Sequence, residues 1–190
     1  MSTVAHPPTP IPERLESARL EIRLARADDA VDLNAAIHES IDALRPWLEW
    51  AQEPPSLEAT RARIVAVQRS YRAGEDLPLL LFEKQSGRVV GGSGLHEPDW
   101  RVPKFEIGYW VRSCFAGRGF VTEAVDAIAG LAFAELEAQR VEIRMSAANE
   151  RSRRVAERVG FELEGVLRNE SRHVDGSLRD SMVWARVATR

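Results

Sequence analysis

The stretch from Lys104 to Ala124 constrains this chain more than any other, because its hydrophobic period changes across a glycine loop. Phe105, Ile107, Tyr109 and Val111 recur at every second residue, the spacing of a strand with one buried face. Val121, Val125, Ile128, Ala132 and Leu136 then recur at helical spacing. Gly117, Arg118 and Gly119 lie at the change. Glycines there let a ligand approach the backbone, where the first free N–H groups of the helix and its positive dipole end also point. The pattern reads as an anion cradle, most often for phosphate.

Composition narrows the partners. A chain of 190 residues, 44% hydrophobic and 29% charged, suits one domain with a sizeable core. A net charge of −3 gives no electrostatic case for direct nucleic-acid binding. The single cysteine, Cys114, excludes an internal disulfide framework and a multi-cysteine zinc site, which suits a reducing compartment. The longest apolar or glycine run, Ala127 to Ala134, is too short to span a bilayer, and the N-terminus lacks a charged-then-apolar signal. The expectation is a cytoplasmic protein, monomer or homodimer, with no membrane partner.

In chain order, residues 1–18 carry prolines at 7, 8, 10 and 12 and read as a flexible arm outside a single domain spanning 19–188. Leu20, Ile22 and Leu24 alternate as a first strand, and Ala27-Asp28-Asp29 opens a helix to about Ala43. In Arg45-Pro46-Trp47-Leu48-Glu49-Trp50 a proline interrupts a helix, and Trp47 and Trp50 read either as a pocket rim or as core packing. Ser56 opens a second helix, which Gly74 stops. Residues 77–84 and 88–96 form a hairpin about Gln85-Ser86-Gly87, the second run weakened by Gly91, Gly92 and Gly94 unless a bulge or a ligand needs the space. After the organising unit come a strand over 140–146, a helix from the N-cap Asn149 to Gly160, and a final hairpin about Asp175-Gly176. This order predicts an α/β (α+β) fold: a mixed sheet of about seven strands covered by helices on both faces.

Glu106-Ile107-Gly108-Tyr109-Trp110, Ala116-Gly117-Arg118-Gly119-Phe120 with Thr122-Glu123-Ala124, and Asn149-Glu150-Arg151-Ser152 through Gly160-Phe161 resemble the GNAT N-acetyltransferases. Arg45-Pro46-Trp47-Leu48 and Gly94-Leu95-His96 are similar to the branch that includes the ribosomal-protein N-terminal acetyltransferases. The resemblance covers about residues 18–188. It implies a GNAT-like, mostly antiparallel sheet, acetyl-CoA as cofactor and no metal. The pyrophosphate would lie over the loop, and the organising strand would splay from the strand at 140–146. The implied cofactor residues are Trp110, Val111, Ala116, Gly117, Arg118, Gly119, Phe120, Thr122, Asn149, Ser152 and Arg154. Trp47, Trp50, His96 and Trp100 are the implied acceptor-side residues. The implied acceptor is a primary amine, foremost the α-amine of a ribosomal-protein or other peptide N-terminus. The chain departs from the pattern twice: Cys114 stands where Gln or Arg is usual, and Ala156 stands where many relatives place a tyrosine acid.

Amine acyl transfer needs an unprotonated amine and a stabilised oxyanion. Glu106, at mid-strand on the face opposite Ile107 and Tyr109, reads as the base or, on the plainer alternative, as a surface ion-pair residue. Ser152, with Tyr109 as fallback, is the implied proton donor to the thiolate. Arg118, Arg151, Arg153, Arg154 and Arg158 are phosphate candidates or a solvated helix face, Arg118 and Arg154 being favoured. A nucleotide P-loop fails because Phe120 follows Gly119, and a dinucleotide fingerprint would need glycine at Thr122. His96, Glu97 and Asp99 read as a polar turn before a metal site, and Cys114 as an inert thiol before a nucleophile. Two alternatives remain open: a catalytically silent acyl-CoA sensor, and a longer donor such as succinyl-CoA acting on a small-molecule amine.

Overall fold

The structure, a computed structural model, describes residue 7 and residues 10–188. One eight-stranded sheet runs in the order β1-β2-β3-β4-β5-β6-β8-β7. Its strands are β1 (Arg14–Glu16), β2 (Leu20–Arg23), β3 (Leu77–Glu83), β4 (Val89–Asp99), β5 (Lys104–Val111), β6 (Arg140–Ser146), β7 (Glu162–Arg172) and β8 (Leu178–Val187). Every neighbouring pair is antiparallel except β5 and β6. The helices are α1 (Ala30–Leu44), α2 (Leu57–Ala73), α3 (Phe120–Glu135) and α4 (Glu150–Arg158).

The strand and helix periods separate the two faces. Phe105 and Ile107 of β5, each 1% exposed, point to α3, whose Val125, Ile128 and Ala132 are fully buried in the same cluster. Burying one such isoleucine is worth about 1.5–3 kcal/mol. Leu80 and Phe82 of β3 point the other way, onto Ala30 and Ala36 of α1 and Ile64 of α2. Helix ends fall where the sequence places them. The Ser56 hydroxyl accepts from Ala59 N–H at the start of α2, and Gly74 ends it with φ +68°.

The strand β1 corrects the arm expected over residues 1–18. Leu15 pairs with Ile22, Ile11 is buried, and the Tyr71 hydroxyl donates to the Pro12 carbonyl. Three residues after a proline cluster carry no periodic signal of their own. Their order comes from the free edge of β2 and from α2, both distant in sequence. Residues 1–6 and 8–9 of the expected arm lie outside the described residues.

Candidate active site

The site opens where β5 leaves β6. The two strands pair only at Lys104↔Arg140, Phe105↔Val141 and Glu106↔Glu142, and beyond that point β6 continues against β8 alone. The edge of β5 from Ile107 to Val111 therefore faces a cleft. Glu106 stands at its apex, half-buried. Burial, chiefly, and the neighbouring carboxylates of Glu97 and Glu142 push its carboxyl up to about 7, against the pull of Arg144 and His96. A plain surface ion pair would have lowered it.

On the face of Glu106, small residues make room for large ones. A Cβ on Gly108 would stand 3.1 Å from His96 Cδ2 and 3.2 Å from Nε2, so the imidazole lies across Gly108, beside its cross-strand partner Glu106. Asp76 Oδ1 holds His96 Nδ1 at 2.6 Å and thereby orients the ring. Likewise a Cβ on Gly92 would meet Trp110 Nε1 at 2.5 Å, so the Nε1 edge of the indole occupies the space over that glycine. Trp50 meets Trp110 edge-to-face at 6.0 Å. Trp50 and Trp47 are 47% and 37% exposed, which removes the core-packing reading.

Trp100 is not brought to this face. Its indole N–H donates to the Gly74 carbonyl at 2.8 Å and its ring packs edge-to-face on Phe105, on the opposite face of β5 from Glu106. The sequence signal was an aromatic near His96, but the bulge at Glu97 (φ 49°) turns the strand between them. Asp99 is engaged by Arg101, and among the described residues no group of three or more His, Cys, Asp or Glu could hold a metal ion.

On the other face, Tyr109 and Ser152 meet. Their hydroxyls are 2.7 Å apart, and the Tyr109 hydroxyl also lies 3.2 Å from the Ser152 carbonyl. Burial pushes the Tyr109 phenol up to about 12, against the Ser152 hydrogen bond, so it stays protonated. Asn149 Oδ1 accepts from Ser152 N–H at 3.1 Å and fixes the first turn of α4. Ala156, in the position of the absent tyrosine, is fully buried and is turned away from solvent.

The cradle forms as the period change predicts. Gly117 has φ +75° and Gly119, the residue before α3, φ +79°, conformations that β-carbons disfavour. Among the described residues, the consecutive N–H groups from Gly117 to Thr122 have no acceptor. Nothing lies within 4 Å of a Cβ built on Gly117, so the loop is open on that side. A run of backbone donors with the α3 dipole behind it fits a diphosphate. A groove of about 380 Å³ continues from it, lined by Gly119, Thr122, Glu123, Asp126, Arg158 and Val159.

The side chains expected at the cradle divide. Phe120 is buried against Phe115 and offers the cradle only its N–H, while Ala116 and Arg154 are exposed and Val111 pairs with Gly91. Arg118 is drawn away from the cradle. Its Nη2 donates to Glu83 Oε1 at 3.0 Å and its guanidinium lies over Phe115 and Phe120. Glu83 is 35 positions distant, so local sequence held no trace of this pairing. Arg158, rather than Arg118 or Arg154, lines the groove.

A latch from α1 holds the loop from behind. Arg112, buried, donates to Asp32 Oδ1 at 2.8 Å and to Glu39 Oε2 at 2.7 Å, and Ser40 Oγ accepts from Ser113 N–H. A hydrogen bond from the Cys114 thiol, with those from Arg112 and the Cys114 N–H, holds the Glu39 carboxyl down to about 2. Burial and the same carboxylate push the thiol of the exposed Cys114 up, which favours the inert thiol over the thiolate nucleophile. Arg112→Met strands two carboxylates that are both partly hydrated. It is expected to cost about 2–3 kcal/mol, measured by urea denaturation.

Comparison with known proteins converges on the same architecture. Residues 19–162 match the acetyltransferase (GNAT) domain family. The chain is 35% identical over 169 residues to the Bacillus subtilis (strain 168) protein named "Putative ribosomal N-acetyltransferase YdaF", covering 87% of this chain and 90% of that one. A solved structure described as a probable acetyltransferase is 32% identical, with a TM-score of 0.84 over 92% of this chain and 96% of that one. RimL, a ribosomal L7/L12 alpha-N-protein acetyltransferase solved in complex with coenzyme A, shares the fold. Its TM-score is 0.83 over 93% of this chain and 97% of that one, at 24% identity.

Proposed function

The chain belongs to the GNAT acetyltransferase family, and from that premise we propose that it uses acetyl-CoA to acetylate a primary amine, the α-amine of a protein or peptide N-terminus. The observation that carries the reading is the placement of a half-buried carboxyl, Glu106, at the apex of a cleft whose far side leads to a free-donor cradle. Bound acetyl-CoA would supply a thioester acyl group. Backbone N–H groups from Gly117 to Thr122 and the groove beside Arg158 would hold it.

The rest is the work of this chain's side chains. Glu106, with its carboxyl near 7, is ionised often enough at neutral pH to take a proton from an ammonium group in the cleft. An α-ammonium titrates near ~8 and a lysine near ~10.4, so the mismatch with Glu106 is about one unit for the first and more than three for the second. The site suits the α-amine. Trp50, Trp110 and His96 wall the side from which the acceptor enters, and Ser152 Oγ holds a proton on the opposite side with the Tyr109 hydroxyl behind it. The names of YdaF and RimL support a ribosomal-protein N-terminus as one such acceptor.

Transfer of labelled acetyl from acetyl-CoA to a panel of peptides, lysine-blocked or N-terminally blocked, tests the reading. Label is expected on peptides with a free α-amine. Thermal stabilisation by acetyl-CoA with no label on any amine would favour the silent sensor, and faster turnover with succinyl-CoA the longer donor. Ser152→Ala is expected to slow turnover by about tenfold or less near pH 7, the deficit shrinking as pH approaches the thiol range near ~8.5. The kcat–pH profile of the variant measures this, and a deficit that does not change with pH would remove Ser152 as a donor.

A further inference from the structure

The first turn of α3 carries a carboxylate, Glu123, on the wall of the groove that leads from the cradle. A carboxylate beside an anion site is a liability, since like charges in partly dehydrated surroundings repel. Its side chain is only 18% exposed, so water alone does not relieve it. The turn between β1 and β2 does. Ser17 Oγ and Arg19 N–H each donate to Glu123 Oε1 at 2.7 Å, and Arg19 Nε donates to Oε2 at 2.7 Å. Burial raises the Glu123 carboxyl, but these bonds together outweigh it and leave it below the usual carboxylate range.

Arg19 takes up a second negative end as well. Its Nη1 donates to the Arg118 carbonyl at 3.0 Å, which ties the oxygen between the two loop glycines to the β1–β2 turn. The guanidinium lies over the Phe120 ring at 4.3 Å, a flat seat that a lysine ammonium would not fill in the same way. Nη2 has no acceptor among the described residues and would stand 3.5 Å from a Cβ on Gly119.

We propose that Arg19 is a positioning residue of the cofactor site, which neutralises Glu123 and ties back the Arg118 carbonyl so that the cradle presents only donors to the cofactor's diphosphate. The inference rests on the acetyl-CoA reading above and adds to it a residue 104 positions away from its partner. A point charge left uncompensated within one helical turn of a diphosphate weakens binding by about tenfold at ordinary ionic strength.

The test is a double-mutant cycle on the full chain, read by calorimetric titration with CoA and, separately, with inorganic pyrophosphate. Arg19→Met is expected to bind either probe about tenfold more weakly than wild type, with the deficit shrinking in added salt. Arg19→Met with Glu123→Gln is expected to recover most of that loss, because the bare charge is gone. Glu123→Gln alone should bind at least as tightly as wild type, and it keeps the proposal falsifiable if Arg19→Met does not fold. Wild-type affinity in Arg19→Met, no recovery in the double variant, or weaker binding by Glu123→Gln would each overturn the proposal. Wild-type protein that binds pyrophosphate but not CoA would sink the cofactor reading and leave the same rank order expected with pyrophosphate. Binding of neither probe would sink both.

Discussion

Glu106→Gln is expected to lower kcat/KM for the acceptor by about 10²–10⁴-fold at pH 7 while leaving acetyl-CoA affinity nearly unchanged. Glutamine keeps the shape at the apex of the cleft and removes the proton acceptor. The wild-type rate should rise with pH through about 7, as the Glu106 carboxyl loses its proton, and the variant should lack that limb. Higher pH should partly rescue the variant, more so for an acceptor amine of lower pKa, because bulk deprotonation replaces the missing base. Stability should move in the opposite direction. The folded carboxyl titrates near 7 and the unfolded one near ~4.3, so the folded state binds more protons between these values and stability falls as pH rises through that window. Glu106→Gln removes the penalty and should melt above wild type at pH 8, with the gap closing toward pH 4. Wild-type rates at pH 7 in the variant would take Glu106 out of the mechanism.

Gly119→Val should weaken acetyl-CoA binding by about a hundredfold or more. Valine at φ +79° is strained, and its branched side chain would project beside Arg19 Nη2 into the groove that continues from the free N–H groups. Strain alone would cost stability without singling out the cofactor. Gly176 separates the two effects, since it has φ +83°, open space around it and a place in the β7–β8 turn. Gly176→Val should show a comparable fall in melting temperature with unchanged affinity. Equal affinities in the two variants, measured by calorimetry on folded protein, would remove the cradle from this loop.

What could be read from sequence was whatever is periodic or local. The alternation of Phe105, Ile107 and Tyr109 and the helical spacing of Val121, Val125 and Ile128 produced β5 and α3 directly. Asn149 caps α4 as its position suggested, and the glycines of the cradle have the positive φ that the loop requires. Glu106 and Ser152 were legible as residue types at useful positions. Their surroundings were not. The contact of Tyr109 with Ser152 spans 43 positions, and the Asp76 that orients His96 lies 20 positions before it. The Arg118 side chain follows the same rule, because its proximity to the loop glycines is local and its bond to Glu83 is not. Trp100 was misplaced by the bulge, which has no signature beyond a non-glycine residue at positive φ.

The join between β5 and β6 has a consequence for the order in which this enzyme comes into being. Strands β1 to β5 use the chain up to residue 111, and β6, β7 and β8 use the chain from residue 140, with α3 between them. A growing chain that has released α3 already holds Glu106 and the cradle, but neither Ser152 nor the wall that makes the gap a cleft. Domains generally fold as units. Here the closing strand is β8, which fills the space between β6 and β7 and follows both in the chain. Closure of the cleft is therefore expected to wait for β8, and a chain stopped short of that strand is expected to carry Glu106 and the glycine loop without activity.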